Sequence, residues 1–177
     1  MPDDLDIHWR FFSLHQVNHD GEDDWRVWEQ PLSGAEWEES SYAMALRTFW
    51  AAEAASRQGQ EAFRRFHLAV LRERHQRGQK LGEPEMLRAM ADSADLDLTA
   101  FDRDLGDPAC LDRLAQDHTR AEALDVFGAP TFAFPGAGPA YLKLTRVLTV
   151  EEALGFWSEF HSTVATRPYV LEIKRPH

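Results

Sequence analysis

Strand-like runs at the two ends of this 177-residue chain, with a long helical block between them, limit its fold more than any other feature. Ile7, Trp9 and Phe11 alternate with His8 and Arg10 before a more apolar end at Phe12 and Leu14, the period-two pattern of a strand over residues 7–14. Two further short runs, Pro130-Thr-Phe-Ala-Phe134 and Tyr141-Leu-Lys-Leu144, flank Pro135-Gly-Ala-Gly-Pro139, which reads as a hairpin loop. A helix bundle would not place its only strands at the two ends of the sequence. The economical arrangement is one small sheet flanked by helices, with the helical block inserted between the first and second visible strands.

The block itself is well punctuated. Ser33 and Glu36 fit a capping box that opens a helix to about Gln58, stopped by Gly59, with Tyr42, Leu46, Phe49 and Trp50 on one face. A second helix is expected over 61–77, burying Phe63, Phe66, His67, Val70 and Leu71. Pro84 opens a third over 84–94, and Thr99 is expected to cap a short fourth. Asp107-Pro108 opens a fifth that runs to Phe127 and ends at Gly128. Thr149 and Glu152 form another capping box. The closing helix behind it is expected to bury Val150, Ala153, Leu154, Trp157, His161 and Val164. No repeat or linker interrupts this order. The expectation is one domain over 1–177, with a helical insertion at 33–127 and the second strand, hairpin and last helix in 128–165.

Composition removes several functions. Nineteen Lys plus Arg against 30 Asp plus Glu give a net charge of −11, which argues against nucleic acid and against an anionic membrane surface. The acidic N-terminus lacks a signal pattern, and no run approaches the roughly 18 apolar residues that span a bilayer, so the expected location is cytoplasmic. Cys110 is the single cysteine, which rules out a CxxC pair or a thiolate-rich zinc site within these residues. It falls in the first turn of a helix, where the dipole could lower its pKa, but a small thiol there is more often a packing residue. His15 and His19 lie in a turn-rich segment, and His67, His118 and His161 fall on or beside apolar stripes. No metal and no cofactor is expected. There is no GxSxG and no phosphate loop. The acidic loop 20–29 reads as a solvated loop whose Trp25 and Trp28 fold back on the domain.

Gly128-Ala-Pro-Thr-Phe132 places a proline at the first residue of a strand, where its missing N–H breaks no ladder. This segment resembles the cis-proline motif of the DsbA-like branch of the thioredoxin superfamily. Trp9-Arg-Phe-Phe-Ser-Leu14 with Gln16-Val-Asn18 resembles the second strand of that family. The helical block, the Phe63-x-x-Phe-His67 helix, the Thr149 helix and the Pro168-to-Lys174 tail fit in the same order.

The resemblance implies an α/β, thioredoxin-like sheet with a helical insertion, and protein thiol–disulfide oxidoreductase activity carried by a CxxC at the start of the first helix. It also implies that Ala129 and Pro130 meet the substrate, a protein or a low-molecular-weight thiol or disulfide. No catalytic residue of this chain matches the motif. The family's first strand and CxxC helix precede the strand placed at 7–14, so they are expected to be missing here, and the chain alone to be inactive. A segment upstream of Met1, closure of the two flanking strands, or strand addition by another chain, a homodimer among the outcomes, could fill the place; the upstream segment is the favoured expectation. Two other functions stand beside the oxidoreductase reading: a redox-inactive module that holds a peptide or partner with the groove near Ala129–Pro130 and the acidic tryptophan loop 20–29, and a glutathione-dependent isomerase or transferase on the same fold.

Overall fold

The structure, a computed structural model, describes residues 6–21, 24–30, 34, 40 and 42–173. The chain divides into two compact units, Ser13–Thr119 and Met1–Phe12 with Arg120–His177.

The first unit is helical. A single turn, α1 (Leu14–Val17), is capped by the Ser13 hydroxyl, which accepts from the Gln16 N–H. Then come α2 (Ala43–Ser56), α3 (Gln60–His75), α4 (Pro84–Ser93), α5 (Leu98–Leu105) and the start of α6 (Cys110–Glu122). The Ser33–Glu36 capping box lies outside the described residues. Gly59, at φ +106°, separates α2 from α3 where the sequence placed the break, and Pro84 takes the first position of α4. The cap of α5 is Asp97 rather than Thr99: one carboxylate oxygen accepts from the Thr99 and Ala100 N–H groups at 2.8 and 3.1 Å.

Two helices end on an aspartate in the left-handed region. Asp95 and Asp125 both have φ of 56°, and in each case a backbone bond reaches back five residues, Leu96 to Ala91 and Val126 to Ala121. The sequence reading ran the last helix of the block to Phe127. The structure stops it at Glu122, because Asp125 supplies the reversal that was expected of Gly128.

α2 packs against α3, α4 and α5, and α4 lies against both α3 and α5. Its most buried positions are Leu46 and the small residues Ala43, Ala51, Ala52, Ala54 and Ala55, while Phe49 and Trp50 are only half-buried. The aromatic stripe singled out in the sequence is therefore not the face that α2 buries deepest. A helix with three neighbours is better served by alanine, which lets their backbones approach. Around it Phe66, Phe101, Leu87 and Leu114 are fully buried, with the Phe66 and Phe101 rings 5.8 Å apart. Gly82 is required where the chain enters α4, since a Cβ there would collide with the Met44 backbone.

Charged groups tie the end of α2 to α6. Arg57 donates to Asp107 at 2.7 Å, and Arg113 donates to Glu53 at 2.9 Å and to the Ser56 hydroxyl at 2.8 Å. The loop at 25–28 folds back as expected: Val27 is fully buried and Trp28 lies 5.3 Å from the His118 ring.

The second unit holds the sheet. β1 (Thr131–Phe132) and β2 (Ala140–Tyr141) form an antiparallel hairpin, with Thr131 opposite Tyr141 and Phe132 opposite Ala140. Both strands are shorter than the runs in the sequence. Residues 7–13 keep the expected alternation, with Phe11 and Ser13 buried and His8 and Arg10 exposed, but they are not a strand. Among the described residues β1 and β2 pair only with each other, and the run ends where Ser13 starts a helix. Alternation selects a face; a strand needs a neighbouring ladder.

The capping box of α7 (Val150–Thr166) forms as read. Thr149 and Glu152 exchange bonds, and Arg146 grips the Glu152 carboxylate at 2.7 and 2.8 Å, holding its pKa down to about 2. Phe132 and Phe134 pack on Trp157, Phe160 and, for Phe134, His161. The buried stripe expected along α7 is only partly realised: Val150 is 83% exposed, Leu154 is 53% exposed and His161 is exposed. A two-stranded hairpin is too small to cover both ends of a 17-residue helix.

His67 yields a prediction. It stacks on Phe63 at 5.4 Å, and burial lowers its pKa from 6.5 to about 4. The unfolded chain binds a proton that the folded chain refuses, so its contribution is fully present above pH 6.5 and is lost as pH falls toward 4. The unfolding free energy from urea titrations should drop over that interval, by on the order of 3 kcal/mol at most. In His67→Leu this slope should be flattened; an unchanged slope would assign it to other groups.

Candidate functional site

The turn between α6 and β1 is the most elaborated backbone in the second unit. After Asp125 the chain passes through Val126 and Phe127 into a bend over Gly128–Pro130, and the Ala129–Pro130 peptide is cis. Gly128 is buried beneath the Tyr141 ring, and a Cβ there would sit 3.2 Å from Tyr141 Cε2. The Thr131 hydroxyl donates to the Gly128 carbonyl at 2.6 Å and closes the turn. Leu142 N–H donates to the Pro130 carbonyl at 3.1 Å and ties the turn to the far strand. Ala129 and Pro130 themselves are exposed.

That last bond sets the alternation of the hairpin. With Pro130 and Leu142 joined, the next opposed pair, Thr131 and Tyr141, turns its N–H and C=O groups outward, toward the two edges. An extended chain lying beside Ala129–Pro130 would meet the outward groups of Thr131. Proline offers no N–H, so approach at this point is to carbonyls and to the Thr131 amide.

Cys110 sits in the first turn of α6, as the sequence implies, but fully buried. Its thiol donates to the Asp104 carbonyl at 3.3 Å. Burial pushes its pKa up to about 11, outweighing the opposite pull of Arg57. This is a packing thiol and not a nucleophile at neutral pH. Asp104 and Asp107 nearby are held below the usual carboxylate range by Arg103 and Arg57, which keeps negative charge around the sulfur.

The other unit carries an open cleft of about 650 Å³ lined by Leu14, His15, Asn18, His19, Trp25, Ser40 and Tyr42. It is shaped by Gln16, whose carboxamide donates to the Trp25 carbonyl and accepts from the Val27 N–H, both at 2.9 Å, and so pins the loop to α1. Trp25 stacks on the His19 ring at 3.8 Å and meets Tyr42 edge-on. The sequence singles out the tryptophan loop as a possible partner surface, but not the cleft that Trp25 forms with α1 and Tyr42. Its signal would have been the glutamine, an ordinary polar residue until its two backbone partners are known. Among the described residues, no group of three or more His, Cys, Asp or Glu side chains is placed to hold a metal ion. Among the described residues, no helix is long and apolar enough to cross a membrane.

Comparison with known proteins adds two findings. A family model described as a DSBA-like thioredoxin domain matches residues 28–155. An uncharacterized protein of Mycobacterium tuberculosis is 27% identical over 190 aligned residues, spanning 97% of this chain and 70% of the relative. The matched segment includes the whole path from α2 through the Pro130 turn to the first residues of α7.

The state of Cys110 can be read chemically. A thiol-reactive disulfide reagent should leave it unmodified in the native chain at neutral pH and modify it fully in denaturant. Rapid native labelling would mean that the sulfur is more accessible than its packing against Asp104 allows.

Proposed function

Because the chain belongs to the DSBA-like thioredoxin domain family, we propose that these residues serve thiol–disulfide chemistry as its polypeptide-binding part, without themselves supplying the reacting thiol. The fold is α/β and thioredoxin-like, dominated by its helical block. The observation that carries the proposal is the exposed Ala129–Pro130 turn, which leads straight into a strand edge with outward-facing amide and carbonyl groups. An extended segment of a thiol- or disulfide-bearing protein lies along that edge and bonds to the Thr131 backbone, with Ala129 and Pro130 setting how closely it approaches. Cys110 plays no part in the exchange, because exchange needs an accessible thiolate and this sulfur is buried and protonated.

Affinity in this arrangement comes from main-chain bonds and a small apolar contact, so binding is tolerant of sequence and modest in strength. That suits a surface that must accept many unfolded or extended substrates.

The test is titration of the 177-residue chain with an unstructured cysteine-containing peptide, followed by calorimetry. Ala129→Arg, which adds bulk at an exposed position, should weaken binding at least about tenfold, a change of about 1.4 kcal/mol. Cys110→Ala should bind as the parent does, and both should be equally inactive in dithiol-driven insulin reduction. Binding indifferent to Ala129→Arg would sink the proposed location. Turnover that vanishes in Cys110→Ala would overturn the binding-only reading.

A further inference from the structure

The segment that follows α7 has the character of a strand and lies in no sheet. Tyr169, Leu171 and Ile173 occupy every second position and are 76%, 93% and 80% exposed. A turn closed by Val170 N–H on the Arg167 carbonyl leads into it, and residues 170–173 are neither helix nor strand. Tyr169 lies in that turn and Val170 is 36% exposed, so the alternation that would give a strand one apolar face is carried by Leu171 and Ile173 on either side of Glu172. In its own copy that face meets water.

The same unit offers an edge of matching character. Leu142 bonds inward to Pro130, so Tyr141 turns its N–H and C=O away from β1, toward the outer edge of β2. The face of the hairpin beside that edge is apolar and exposed: Tyr141 is 40% exposed, and Phe127, whose ring lies 5.1 Å from that of Tyr141, is 68% exposed. A two-stranded hairpin with such an edge gains both hydrogen bonds and burial from a third strand.

We propose that residues 169–173 of one copy of this chain add as a third strand to the outer edge of β2 in a second copy, forming a homodimer. Tyr169, Leu171 and Ile173 then extend the apolar face begun by Phe127 and Tyr141. Charge favours a second copy as the occupant. Residues 120–177 carry six Lys plus Arg and six Asp plus Glu, whereas the whole chain has a net charge of −11. With Met1–Phe12 the unit carries seven Lys plus Arg and nine Asp plus Glu, a net charge of −2, so association through it brings little like charge together. The edge used is that of β2, on the opposite side of the hairpin from the Thr131 edge proposed for substrate, so the two sites are occupied independently.

Light scattering and sedimentation of the full 177-residue chain, over a concentration series into the hundreds of micromolar, test the proposal. The parent chain should form a reversible dimer. Leu171→Lys with Ile173→Lys should raise its dissociation constant at least about tenfold, with circular dichroism unchanged because both side chains are already in water. Leu154→Lys, on the exposed face of α7, should leave the dimer intact. A chain that stays monomeric throughout overturns the proposal. So does a dimer unaffected by the double variant, or one lost only in Leu154→Lys, which would place the contact on α7. The double variant should still bind the cysteine-containing peptide as the parent does, so failure of the dimer is distinguishable from failure of the substrate site.

Discussion

The close approach permitted by the alanines of α2 is what the helical unit depends on. Ala51, Ala54 and Ala55 are fully buried, and α3, α4 and α5 all lie against this helix. Larger side chains at those positions would push the neighbours apart and open gaps around the buried Phe66 and Phe101. The charged groups at its C-terminal end act on the same frame. Arg57 and Arg113 bind partners at the α5–α6 junction and on α2, so the register of α6 against α2 is held by directed bonds as well as by shape.

The second unit is organised differently. Its core is a cluster of aromatic rings between the hairpin and one half of α7, and several large apolar residues beyond that cluster meet solvent. A helical unit can close on itself, because each helix satisfies its own backbone. A two-stranded hairpin cannot, because each strand keeps an outward row of amide and carbonyl groups. Both proposed sites come from that one property: the Thr131 edge suits an extended substrate, and the Tyr141 edge suits a strand from another copy.

This division also explains the chemistry. The family match reaches through Cys110, yet its sulfur sits among helix contacts where burial keeps it protonated. Thiol reactivity needs exposure and a lowered pKa, and Cys110 has neither. The Pro130 turn has the opposite character, being open to solvent. Of the two, only the Pro130 turn is accessible, and the proposed binding site is placed there for that reason.

Much was determined by the sequence alone. The Thr149–Glu152 capping box, Pro84 at a helix start, the break at Gly59 and the hairpin loop at 135–139 are local matters of backbone geometry and hydrogen bonding, and each formed where the residues called for it. The turn at Gly128–Pro130 was legible for the same reason, as was the family. Tertiary structure decided the rest. Whether residues 7–13 become a strand depends on a neighbouring ladder, and none of the described strands supplies one. Which face of α2 is buried depends on how many helices surround it, so alanines outranked the aromatic stripe. The fate of Val150 and Leu154 depends on how much hairpin lies over α7. The Trp25 cleft depends on a glutamine whose two backbone partners lie nine and eleven residues away. Periodicity reports what a segment can bury; only its neighbours decide whether it does.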